Sequence, residues 1–258
     1  MCRFKSGIIL KNKVVVAPGE NDSHSDLLES LGINDDYFGA TNVFVRAELV
    51  PVNGEWWIDP AEEPDKWRFI VDQDMRPEWF DESEHEKIFR EAVCDWWKEH
   101  VLVDQKLEEL SSGYYRLKRC EVKRLLNDVK VLLGSSQVGV MLDSSQVVKM
   151  LDSSRVGEMR GISRVGEMRG ISRVGVMLDS SQVGEMLGSS QVVKMRGISQ
   201  VGEMRDSSQV GEMWDSSQVV KMWGRSTARD FKNWPNVKIW VSPEGTFEMV
   251  AHQNKSEE

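Results

Sequence analysis

The sequence predicts a mainly β protein: a small α+β N-terminal domain, then a parallel β-solenoid of 18-residue coils with two nonapeptides in each, and a C-terminal β cap. Three observations carry this prediction. A nine-residue unit recurs ten times over 134–223 with no insertion. Its third place is always Ser (Ser136 to Ser217), its fifth always Val (Val138 to Val219) and its eighth always Met (Met141 to Met222). Its first place is only ever Gly or Asp. An α-helix cannot use this period, because nine residues are about 2.5 turns, so successive Val would point to opposite sides.

Within one repeat, Ser and Val lie two apart and share a side of a short strand. The Gly/Asp–Ser pair makes the corner. The Met turns inward after the bend, where a flexible thioether fills irregular space. The expected core columns include Val138, Met141, Val147 and Met150 at one end and Val210, Met213, Val219 and Met222 at the other. Two repeats per coil give about five coils and roughly 24 Å of length at the ~4.8 Å spacing of strands. Such repetition marks quasi-one-dimensional folds. Val129 and Leu132 already stand in the Val and Met phase, which decays through Ala228 and Phe231.

The layout read from the chain is a head domain over 1–110, a transition and N-terminal cap over 111–133, the repeats over 134–225, and a C-terminal cap and polar tail over 226–258. In the head, GIIL, Lys11-Asn12-Lys13 and VVVA predict a β-hairpin. SHSDLLESLG predicts a short helix capped by Ser23 or Ser25 and stopped at Gly32. FVRAELVPVNGEWWI predicts strand, Asn53-Gly54 turn, strand, and KWRFIVDQD a further strand. From Asp81 to about Val101, Ile88, Phe89, Ala92, Val93, Trp96 and Trp97 share one side of an amphipathic helix. Open solenoid ends need covering. The segment 115–133 is expected to cover one, and Ser226–Val250, with KIWV and TFEMV around a Pro-Glu-Gly turn, the other. Trp214 and Trp223 suit a place beneath that second cap.

The net charge of −9 is uneven. Residues 1–133 hold 18 Lys+Arg against 27 Asp+Glu, while 134–225 hold 11 against 10. A near-neutral array argues against a nucleic-acid mimic and makes nucleic acid an improbable partner. Cys2, Cys94 and Cys120 are too few and too scattered for a disulfide framework or a zinc site. No apolar run reaches the ~18 residues of a membrane span, and the apolar stretch near the start is short for a signal peptide. The expectation is a cytoplasmic protein with no membrane contact.

Function is expected on outward places. Arg155, Arg160, Arg164, Arg169 and Arg173 fall within nineteen residues, offset by Glu158 and Glu167. They offer an anion-binding patch or a solvated, salt-bridged face. Leu142, Leu151, Leu178 and Leu187 at the ninth place form an apolar stripe for a partner or a homodimer, or the packed edge of a corner. The four histidines have no metal spacing. Asp72-Gln73-Asp74 and the acidic run Asp81–Glu86 could bind cations, but a solvated loop and a helix N-terminus that favours acids explain them more cheaply. No metal and no cofactor are expected.

The chemically sharpest residue is Cys2, which becomes a free α-amine beside a thiol once Met1 is removed. MCRF followed by paired strands resembles two families: the N-terminal-nucleophile amidohydrolases, where Asn53-Gly54 matches an oxyanion-hole Asn-Gly, and the abasic-site-binding SRAP domains, which begin Met-Cys-Gly-Arg, although Arg3 replaces the Gly. The nine-residue period is similar to that of calcium-binding β-rolls, but their Gly-Gly-x-Gly-x-Asp turn is missing. The whole plan, an MCRFKSGIIL…SHSDLLESLGI…FVRAEL…VDQD…PEWF head, a Ser-x-Val-x-x-Met solenoid and an STARDF…VKIWVSPEGTFEMV tail, resembles proteins encoded by gut bacteria and their phages. That resemblance implies the head–solenoid–cap layout and a phage–host setting, and no chemistry. The expected function is that of a non-enzymatic interaction protein offering a repetitive face to a protein partner. The alternative is a Cys2-dependent hydrolase or DNA-adduct-forming head with the solenoid as spacer.

Overall fold

The structure, a computed structural model, describes residues 4–19, 22–34, 42–228, 231–232 and 238–241, the last two stretches as backbone. The chain divides into two compact units, 1–101 and 102–258.

In the first unit, β1 (Lys5–Leu10) and β2 (Lys13–Val16) form the hairpin, and α1 (His24–Ser30) follows. Ser23 caps α1 by accepting the Asp26 N–H, and Gly32 takes a left-handed φ of 68° just past its end. Then come β3 (Phe44–Pro51), β4 (Trp67–Val71) and α2 (Glu82–His100), the last capped by Asp81. The strands make one antiparallel sheet in the order β2-β1-β3-β4. Leu27 and Leu28 of α1 pack with Ile8 and Phe44, while Phe89 of α2 packs on Gly7, where a Cβ would come within 2.7 Å of the ring. Two expectations fail here. EWWI is not a strand, because β3 ends at Pro51 and its partner is β4, reached after residues 52–66. Ile88 is 40% exposed, since α2 buries the narrower stripe His85, Phe89, Val93 and Trp96.

The second unit is a parallel β-solenoid of coils near 18 residues, about seven turns over roughly 101–228. Each repeat gives one strand, from Gln137–Met141 to Gln218–Met222. A strand never pairs with the next repeat but always with the one after: Val138 with Val156, Val147 with Val165, Met141 with Met159. The strands therefore sort into two sheets around one core. One contains the strands beginning at Gln137, Arg155, Arg173, Gln191 and Gln209, and the other those beginning at Gln146, Arg164, Gln182, Gln200 and Gln218. All ten Val and all ten Met are at most 2% exposed, and the ten Ser are fully buried.

The corner chemistry follows from one dihedral. From the second repeat on, the first-place residue has φ between 53° and 68°. L-residues avoid this region, Gly adopts it freely, and Asp is among the few others that tolerate it. This favours Gly and Asp at the first place. The third-place N–H closes the turn on the ninth-place carbonyl, as from Ser145 to Leu142 at 3.1 Å.

The solenoid begins before its repeats. Lys106–Leu110, Tyr114–Lys118, Glu121–Leu125 and Lys130–Gly134 are already coil strands, in the segment read as the end of the head and a cap. Their coils are shorter: Val131 pairs with Val147, sixteen residues on, whereas Val147 pairs with Val165, eighteen on. That difference shifts the phase, so Val131 and Leu133, not Val129 and Leu132, continue the Val and Met columns. At the other end, Ala228 pairs with Val210, Phe231 with Met213, and Lys238–Val241 adds a strand beside Gln218–Met222. TFEMV lies outside the described residues.

Candidate functional site

The five arginines singled out in the sequence do not form one patch. Arg160 and Arg169 sit at ninth places on different corner columns. Arg160 donates to Glu158 at 2.7 Å, and Arg169 binds Glu167. Arg164 projects from one sheet and Arg155 and Arg173 from the other. The Leu stripe is also broken. Along one corner the ninth places stack as Leu142, Arg160, Leu178, Arg196, Trp214, and along the other as Leu151, Arg169, Leu187, Arg205, Trp223. Ninth-place arginines follow the seventh place: beside a Glu they form an ion pair, as Arg205 does with Glu203 at 2.8 Å, whereas Arg196, beside Lys194, lies over the Trp214 ring at 5.1 Å.

What remains is a groove on the sheet that carries Arg155 and Arg173. These two stand in register on adjacent rungs. Neither has an ion pair or side-chain hydrogen bond among the described residues. Sixth-place Gly139, Gly157 and Gly175 form a floor without side chains, closed by Lys123 at one end and Val193 at the other. Glu121 and Gln137 continue the arginine wall, and Val176 and Lys194 line the opposite one, enclosing about 620 Å³. Lys123 is paired with Glu108 at 2.7 Å and Lys194 with Glu212 at 3.0 Å. The two arginines are thus the cations left for a ligand. On the opposite sheet Glu167, Glu185 and Glu203 stack on consecutive rungs of the seventh-place column. Burial pushes the Glu167 carboxyl up, but hydrogen bonds from Arg169 and Lys149 outweigh it and hold the group below the usual carboxylate range.

No protein-family model matches the chain, and no curated protein or solved structure matches it either.

Cys2 lies outside the described residues. The two other thiols are poor nucleophiles: burial is the main cause raising both Cys94 and Cys120 above the usual thiol range. Among the described residues no helix is long and apolar enough to cross a membrane.

Proposed function

We propose that this chain is a non-enzymatic interaction protein whose solenoid docks an extended acidic segment of a protein partner in the groove beside Arg155 and Arg173. The observation that carries this reading is the pair of stacked, unneutralised arginines along a glycine floor. Like charges one rung apart repel, and they are tolerated more readily where a counter-charge arrives from outside. A floor without side chains admits a backbone, and a linear wall of donors suits carboxylates spaced along an extended chain. The same face meeting the Glu-lined face of a second copy is the competing outcome. The free thiols of Cys94 and Cys120 suit a reducing cytoplasm.

Gln fills the fourth place in seven of the ten repeats, so Arg155→Gln with Arg173→Gln keeps a native rung. Anisotropy titration of the full chain with labelled Glu-rich peptides should give binding that weakens with salt. It should fall about tenfold or more in the double variant, which corresponds to roughly 1.4 kcal/mol. Unchanged affinity in that variant excludes the groove, and a concentration-dependent dimer lost in the same variant assigns the face to self-association.

A further inference from the structure

We infer that the first unit binds a first-row divalent metal ion, with Zn2+ as its best probe, through His24, Glu48 and Asp72. His24 opens α1, Glu48 lies in β3, and Asp72 follows β4, where its N–H donates to the Arg46 carbonyl at 2.9 Å. One ligand atom of each lies within 4.8 Å of the other two.

The imidazole is oriented for a metal. Its Nε2 is 3.0 Å from the Ala47 carbonyl oxygen, which only accepts, so Nε2 carries the proton. In the neutral ring Nδ1 then holds a lone pair, and it faces Asp72 Oδ2 at 3.4 Å. That separation is long for a hydrogen bond. It matches the roughly 3.4 Å edge of a tetrahedron of ligands about 2.1 Å from a shared ion. A backbone carbonyl on the far nitrogen is also the usual device that fixes the tautomer of a metal-bound histidine.

Two further groups point into the same place. Glu48 is 6% exposed, yet its carboxylate has no hydrogen bond or ion pair among the described residues. A carboxylate this sheltered gains from a cation beside it. Ser6 stands directly across from Glu48 on the same face of the sheet. It is fully buried, and its Oγ has no partner among the described residues. A cation held by Glu48 supplies what both lack, directly or through a bound water. Asp72, 59% exposed, leaves the solvent side open for entry and for a further ligand. One imidazole with two carboxylates favours Zn2+ or Mn2+ over Ca2+ or Mg2+.

The full chain, stripped with a chelator, is titrated calorimetrically with Zn2+, Mn2+ and Mg2+. The expected result is one Zn2+ per chain, weakened about tenfold or more by Asp72→Asn and by the isosteric Glu48→Gln, with Mg2+ far weaker. Asp72 is exposed, so its variant should keep the unliganded melting temperature while losing the rise that Zn2+ gives the parent. Three results overturn the inference. They are no Zn2+ or Mn2+ binding, Zn2+ binding undiminished in Asp72→Asn, and an equal response to Mg2+. None of these outcomes bears on the groove, which lies in the other unit.

Discussion

At the first place of the repeat, the left-handed backbone narrows the choice to Gly or Asp, but it does not say which. The stacking does. Along one corner the order is Asp143, Gly161, Asp179, Gly197, Asp215, and along the other Gly134, Asp152, Gly170, Gly188, Asp206, Gly224. No Asp stands on an Asp. Asp179, Asp206 and Asp215 each follow a Gly in the stack, and their carboxylates accept the N–H of Gly161, Gly188 and Gly197 at 2.9–3.0 Å. Gly197→Asp would place three carboxylates on consecutive rungs, each neighbour costing about 1 kcal/mol in water at ~4–5 Å. Gly197→Asn tolerates the same backbone without the charge. In urea melts at neutral pH and low salt, the Asp variant should be about 1–2 kcal/mol less stable than the Asn variant. The gap should close in high salt. Equal stability of the two variants at low salt would mean that repulsion does not set the alternation.

At the scale of the strand, the Met of the inner repeats stack on one another, so Met168 lies between Met150 and Met186. The earlier coils show what the column accepts: Leu125 stands on Met141, and Leu133 on Met150. Met168→Leu should therefore cost less than about 1.5 kcal/mol. Met168→Ala, which empties space between two rungs, should cost about 2–5 kcal/mol. Comparable denaturation midpoints for both would mean that the column is loosely packed. The strands legible in the sequence are those whose inward places repeat at a fixed interval. Leu107, Val122 and Tyr115 line the same solenoid, but at intervals of fifteen or sixteen residues and with changing side chains, so the nine-residue period passes over them. The arginine groove was half legible. The residues were found, but their grouping depends on pairing every second repeat, which splits a cluster of five into a stacked pair and three separate positions. His24, Glu48 and Asp72, each twenty-four residues from the next, were invisible as a set, because an antiparallel sheet and a helix N-terminus bring them together and no spacing rule does.

For the solenoid as a whole, Val and Met occupy the same places in both sheets, so the two halves of a coil are interchangeable in the core and differ only in their outward columns. Removing one repeat carries everything downstream half a turn round the axis. The core continues, but the faces change partners. Deletion of 161–169 removes no groove residue, yet it sends Arg173, Gly175 and Lys194 to the sheet opposite Arg155. Deletion of 197–205 removes no groove residue and keeps Arg173 on Arg155, although it carries Glu212 away from Lys194. The two are matched, since each brings one Asp onto another, Asp152 onto Asp179 in the first and Asp179 onto Asp206 in the second. Both shortened chains should stay sheet-rich by circular dichroism and melt within about 5 °C of each other, as expected for stability differences of 1–2 kcal/mol in a chain of this size. Only the first should lose the acidic peptide. If either chain melts far below the other, the half-coils are not equivalent. If both bind the peptide alike, the stacking of Arg155 on Arg173 is not what the ligand reads.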